Sequence, residues 1–315
     1  MLSVIERDAA SALPQSYRRS QARRPSSQHR DIHSTRSFVH YSDNDISAAT
    51  LRPMHVRREK AVLRYVIQLS LPCSAHGDME RIVEDEWLDD DRGTPAEIDA
   101  ALHAIRLANR RFGGMRLHAR LLKQALTRVP RKQRPHVLEV ASGRADVLLA
   151  ALVQLDVAAQ VAPDVTLLDR SAAHLPDPCA WPSGLPTPRM LAGDALALPL
   201  PDASVDIASC CLFLHHLEPP QITRYLAEAQ RVARVAVVIN DLERTALHYR
   251  LAQLNRVIDR SRISRHDGPA SVRRAYTYNE LARMLANTGC SFLLERAYLY
   301  RLGAILWCGD PSKMS

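Results

Sequence analysis

PHVLEVASGRADVLLAALV, residues Pro135–Val153, reads as a buried strand, a tight turn holding one glycine, and a helix. In an open α/β sheet such a turn lies at the carboxyl edge of the strands, where ligands are held. What the turn lacks narrows the ligand. No Gly-Lys-Ser/Thr step follows the strand, so it is not a phosphate-cradling P-loop. A dinucleotide turn needs glycines at three spaced positions, so that the backbone can approach a pyrophosphate. Here the series is Ala141-x-Gly143-x-Ala145, with Glu139 just before it. That carboxylate repels an anion and attracts an ammonium group.

The alternation continues downstream. Apolar runs at 165–169, 189–194, 205–213 and 235–241 read as strands buried on both faces, and 291–300 and 302–309 close the chain as two more. The segments 145–160 and 219–233 have helical period. The expected fold is α/β and Rossmann-like: a mainly parallel seven-stranded sheet with flanking helices. The strand ends carry the chemistry. Strand one ends at Glu139–Gly143, strand two at Asp169, strand three at Asp194, strand four near His215-His216 and strand five at Asn240-Asp241. Carboxylates at three successive ends suit a nucleoside with a positively charged amino-acid tail, and S-adenosylmethionine is such a ligand.

VLEVASGRAD (137–146), VTLLDRS (165–171), LAGDALALPLPDASVDIASCCLFLHHL (191–217) and VINDLER (238–244) resemble, in order, the motifs of class I S-adenosylmethionine-dependent methyltransferases. The flavour is similar to the small-molecule branch of ubiquinone/menaquinone C-methyltransferases. The resemblance covers about Pro135 to Asn240 and implies a role for each strand end. Glu139 would hold the methionine ammonium end. Ala141 to Gly143 would pass their backbone along the cofactor. Asp169 would take the ribose hydroxyls, and Asp194 with the backbone of Ala195 would recognise adenine. Leu212 to Leu214 would line the methyl-transfer chamber, and Asp206 would be architectural. His216, His215 and Asp241, in that order, are the candidates for a base acting on the acceptor. The family usually has glycine where Ala141 and Ala145 stand. A methyl group there is harmless at negative φ and strained at positive φ.

Charge is uneven along the 315 residues. Up to residue 78 there are 12 Lys and Arg against 7 Asp and Glu, a net of +5 out of +8 for the whole chain. The remainder is near neutral, which argues against a dedicated nucleic-acid groove. Residues 1–78 are expected to form a basic, disordered arm, with Met79 as an alternative start, since ordered patterning begins there. The six cysteines make no CxxC pair and no Cys/His set at zinc spacing, so no metal is expected and the protein reads as reduced and cytoplasmic. No run reaches a membrane span. Only four lysines accompany the many arginines, as a GC-rich bacterial genome would give.

Ahead of the sheet, residues 79–130 are expected as a helical cap: Thr94 caps a first helix with Pro95 at its start, Gly113-Gly114 end it, and 115–130 forms a second. The domain proper is 131–315. Its insertion, 242–276, is expected as a long helix over 242–260 and a polar loop over 264–277. Arg262, His266, Arg273 and Arg274 of that insertion are candidates for an anion-binding lid. Cap and insertion together would build an apolar acceptor pocket, for a phenol, quinol or polyketide-like molecule. A nucleic-acid or protein methyltransferase and a degenerate, non-catalytic interaction module remain as alternatives.

Overall fold

The structure, a computed structural model, describes residues 79–130, 134–155 and 162–308. The expected basic arm, 1–78, lies outside them. The elements run α1 (Pro95–Arg111), α2 (Gly114–Leu126), β1 (His136–Val140), α3 (Asp146–Gln154), β2 (Asp164–Asp169), β3 (Arg189–Ala192), β4 (Val205–Cys211), α4 (Pro219–Val232), β5 (Ala233–Leu242), α5 (Ala246–Ile258), α6 (Arg262–Arg274), α7 (Tyr278–Ala286), β6 (Phe292–Ala297) and β7 (Arg301–Trp307). One seven-stranded sheet has the order β3-β2-β1-β4-β5-β7-β6. β7 runs antiparallel to both β5 and β6, and the other neighbours are parallel. The chain reverses between β1–β2–β3 and β4–β5, so a crevice opens beyond the carboxyl ends of β1 and β4.

Both faces of the sheet are covered, which is why its central strands β1, β4 and β5 are buried and mainly apolar. Ile222, Tyr225 and Leu226 of α4 and Leu281 and Leu285 of α7 pack with Leu138, Val140, Ala208 and Val237. On the other face Leu117, Leu121 and Leu122 of α2 and Leu148 and Leu152 of α3 pack with Val137, Leu167, Ile207, Val238 and Ile305. The apolar stripe of α2, in the segment expected as a cap, covers this face of the sheet. The contact is close: a Cβ on Gly303 of β7 would lie 2.8 Å from Leu117 Cδ1 and 3.0 Å from Leu121 Cδ1. Only α1 remains to stand over the crevice. It starts where the sequence indicates, with Thr94 and Glu97 forming a reciprocal capping box and Pro95 in the first turn.

The insertion departs from expectation. β5 continues through Leu242, so α5 begins only at Ala246, capped by Thr245. The segment expected as a polar loop is helix α6, capped by Ser261. Its buried residues are Ile263, Asp267, Pro269, Ala270, Val272 and Arg274, and the helical spacing of Ile263, Asp267, Ala270 and Arg274 is hidden because two of those are charged. Those charges meet partners in the extended segment before α1. Asp267 accepts from the backbone N–H of Trp87 at 2.9 Å and of Leu88 at 3.0 Å. Arg274 donates to Glu84 O at 3.2 Å. Arg81 donates to Arg274 O at 2.7 Å and to Leu217 O at 3.2 Å. The acidic stretch 80–92 is thereby tied across α6 and the end of β4. Among the described residues, no helix is long and apolar enough to cross a membrane.

Candidate active site

A cleft of ≈ 1990 Å³ opens where the fold places the crevice. Single-ligand sites usually span about 300–1,000 Å³, so this volume suits two ligands side by side. One half is lined by the strand ends: Glu139, Ala141–Asp146, Asp169, Gly193–Leu196 and Leu212. The other is lined by α1, by α5 and α6, and by Glu86, Asp89, His215 and His216. Glu139, Ala141, Gly143, Asp169, Asp194, Ala195, Leu212, His215 and His216 border the cleft, whereas Asp241, Leu214 and the lid candidates Arg262, His266 and Arg273 do not.

In the first half, Glu139 is buried, accepts a hydrogen bond from Ser209 Oγ, and lies 3.6 Å from His118 Nε2. Among the described residues no arginine or lysine pairs with it, so an incoming ammonium group finds a carboxylate without a fixed cation. Asp169 sits at the end of β2. Its Oδ2 accepts from Gly143 N at 2.8 Å and its Oδ1 from Ser171 N at 3.0 Å. The carboxylate thus clamps the turn after β1, and each oxygen keeps a lone pair for a hydroxyl. Asp194 is exposed at the rim and shapes its own turn by accepting from Leu196 N at 2.8 Å. Asp206 lies away from the cleft, accepting from His136 N at 2.8 Å and from Arg234 Nε at 3.0 Å.

The turn itself is left-handed at all three spaced positions: φ is 52° at Ala141, 47° at Gly143 and 56° at Ala145. The alanines keep the backbone path that glycines would take, and their methyl groups carry the strain. Leu212, at the end of β4, is also left-handed with φ 56°, as are Leu299 and Tyr300 in the β6–β7 turn. Five of the seven described non-glycine residues with positive φ border this one cleft, and strained backbone concentrates where a site is shaped. Arg144 pairs with Asp99 of α1 at 2.7 Å, and Arg106 of α1 lies 3.5 Å from Asp146. Two ion pairs thus join α1 to the turn beneath it.

In the second half, a 3₁₀ turn at Leu214–His216 carries both histidines off β4, with their ring centroids 4.1 Å apart. His215 is buried. Its Nδ1 lies 2.7 Å from Asp241 Oδ1, and its N–H donates to Asp241 Oδ2 at 3.2 Å. Asp241 stands behind His215 and does not border the cleft. Burial acts to raise its carboxyl, but the charge and hydrogen bond of His215 outweigh burial and hold it below the usual range. His216 Nδ1 lies 3.0 Å from Asp89 Oδ2. Burial likewise opposes ionisation of Asp89, yet His216 and Arg274 bring it down to about 2.

Sequence reading missed Glu86. Its Oε2 accepts from Ser271 Oγ at 2.9 Å, while its Oε1 is buried with no hydrogen-bond partner, 3.7 Å from His215 Nε2. Burial pushes its carboxyl up to about 7 against the pull of His216. Glu86 lies 129 positions before His215, so no local spacing could have found it. The proposed anion-binding lid does not form as expected. Arg262 pairs with Glu97 at 2.9 Å, His266 with Asp267 at 2.8 Å, Arg273 with Glu84, and Arg274 with Asp89 at 3.3 Å.

Residues 138–238 match the sequence family described as a methyltransferase domain. The fold is similar to that of the plantazolicin methyltransferase BpumL in complex with a desmethylplantazolicin analog and S-adenosylhomocysteine. That likeness has a TM-score of 0.51 and 12% identity over 71% of this chain and 93% of the other. A SAM-dependent methyltransferase from Aquifex aeolicus is similar at TM-score 0.41 and 18% identity, over 59% of this chain and 89% of that one. A comparison with curated protein sequences finds no match. Residues 138–238 thus carry a methyltransferase domain.

Proposed function

We propose that this methyltransferase acts on a small, largely apolar acceptor bearing a hydroxyl or an enolizable carbon, of the phenol, quinol or polyketide-like kind. This is the class that the resemblance to the ubiquinone/menaquinone branch implies. The observation that carries the proposal is the pairing of the two halves of the cleft. Unneutralised strand-end carboxylates line one half, and a His215–His216 pair faces the other from beneath a half-apolar roof.

The cofactor supplies a methyl group already activated on a sulfonium. In this reading Glu139 holds its ammonium end, Asp169 its ribose and Asp194 with Ala195 its adenine, while the left-handed turn keeps the backbone close. Leu212 and Phe213 mark the junction between the two halves. The chain's remaining tasks are alignment, exclusion of water and handling of the acceptor's proton. α1 roofs the junction, with Leu102 and Ile105 half-buried along it. His215, fixed in one orientation by Asp241, replaces His216 as the first candidate for activating the acceptor, and His216 stands beside it. An imidazole with a carboxylate behind Nδ1 presents Nε2 with a defined tautomer, as proton abstraction near neutral pH requires.

The test is S-adenosylhomocysteine release with a panel of alkylphenols, quinols and polyketide-like enols, run beside RNA and protein substrates. Turnover on the small acceptors is expected. His215→Gln should lower kcat at least about 100-fold with cofactor affinity unchanged by calorimetry, whereas Asp169→Asn should weaken cofactor binding itself. Turnover on RNA or protein alone would move the enzyme to the macromolecular class. Cofactor binding without turnover on any acceptor would favour a non-catalytic module.

A further inference from the structure

The proposed acceptor half contains more than a base. We infer that Glu86, His215 and His216 form a binding site for one divalent transition cation of the zinc class, which would hold the acceptor's oxygen. The second part of this inference rests on the function proposed above; the first does not. One donor atom from each of the three residues lies within 4.8 Å of the other two. A tetrahedral zinc site with bonds of about 2.1 Å separates its ligands by about 3.4 Å, so a contraction of at most about 1.4 Å closes the set.

Three independent features point to a cation. First, Glu86 is 6% exposed, and its Oε1 has no hydrogen-bond partner although it is aimed at His215. A buried carboxylate oxygen left bare is costly unless something positive meets it. Arg274 does not fill that role: its Nη1 is 3.7 Å away and donates to Glu84 O and Asp89 Oδ2 instead. Second, both imidazoles have Nδ1 engaged by a carboxylate, His215 by Asp241 and His216 by Asp89. That outer shell is the one that orients metal-ligating histidines, and it leaves Nε2 of each as the free donor. Third, three carboxylates, Glu86, Asp89 and Asp241, converge on the two imidazoles beside the guanidinium of Arg274, a donor-rich setting for a cation.

Two imidazoles and one carboxylate leave coordination positions open. With the cation bound, Nε2 of His215 is a ligand and no longer a base, so an acceptor hydroxyl entering an open position would lose its proton to solvent at lower pH than when free and would face the junction as an oxyanion. No local spacing announces the full set, because Glu86 comes from a segment before α1 and the two histidines from a turn after β4.

The test uses the full chain, stripped with a chelator and titrated with Co²⁺ and Zn²⁺ in the absence of acceptor. One equivalent of Co²⁺ is expected to bind with visible d–d absorption, and Zn²⁺ should displace it. Glu86→Gln and His216→Gln, each verified as folded by circular dichroism, should abolish the band. Asp241→Asn, which touches no donor atom, should weaken Co²⁺ about 10–100-fold while leaving S-adenosylmethionine binding unaltered. The inference is overturned by absence of the band at millimolar Co²⁺, or by a band that survives in both ligand variants. Methyl transfer that runs equally well in stripped protein would overturn the cation's role with the acceptor and leave the enzyme reading intact. Co²⁺ binding without methyl transfer would uphold the site and sink the acceptor reading.

Discussion

Replacing Ala141 and Ala145 singly by glycine separates two opposing contributions in the cofactor turn. Both residues are left-handed, at φ 52° and 56°. An L-residue there is disfavoured by about 1–2 kcal/mol, and glycine removes that penalty. Glycine also widens the unfolded ensemble, which costs about 0.4–1 kcal/mol. Ala141 is only half-buried, so nothing further enters, and Ala141→Gly should stabilise by about 0.5–1 kcal/mol. Ala145 is 3% exposed, and its methyl packs in the core beside Leu148. Losing a buried methyl costs about 0.8 kcal/mol, which cancels the gain, so Ala145→Gly should be neutral or slightly destabilising. For a domain of this size, Ala141→Gly corresponds to a rise of about 1–4 °C in Tm. The assay is urea denaturation followed by circular dichroism, with m-values compared between variants. A loss of stability in Ala141→Gly would show that the positive φ is not strained. An equal gain in both variants would show that the Ala145 methyl contributes nothing.

Three further outcomes follow from the geometry. Gly303→Ala drives a methyl into Leu117 and Leu121 of α2, and should destabilise by about 1–3 kcal/mol; a variant within 0.5 kcal/mol of wild type in urea melts would mean that α2 shifts freely. His248 is held down at about 4 by burial, although its contact with Glu243 O acts the other way. The unfolded chain takes up that proton near 6.5 and the folded chain only near 4, so stability falls as pH drops through that window, by about 3 kcal/mol. His248→Asn should flatten the fall, and melts at several pH values would show an unchanged slope if the reasoning is wrong. Arg144→Ala removes an exposed ion pair to α1 and should alter stability by less than about 1 kcal/mol, yet quicken S-adenosylhomocysteine release measured by stopped flow; an unaltered rate would show that α1 does not restrain the turn.

The sheet was legible because its central strands are mainly apolar runs, and its strand ends were legible because Glu139, Asp169 and Asp194 interrupt those runs with charge. The cap of α1 was legible for the same local reason, Thr94, Pro95 and Glu97 standing within four positions. What escaped depends on pairing at long range. α6 hid because Asp267 and Arg274 occupy its buried face, and a hydrophobic pattern cannot show a helix whose inner side is charged. Their partners lie in the segment 84–89. Strand ends were overrun for a related reason. β4 stops at Cys211 because Leu212 turns left-handed, and the expected strand 291–300 gives way at Tyr298 to the turn before β7. In neither place does a glycine announce the conformation.

The left-handed residues around the cleft also bear on how a ligand's arrival is felt. Ala141, Ala145, Leu212, Leu299 and Tyr300 each occupy a narrow conformational well with few neighbouring states. A floor built this way has little backbone freedom left to surrender when a guest settles on it. Its ordering is completed during folding, so association can proceed with a smaller entropic loss than a glycine-rich turn of the same shape would incur.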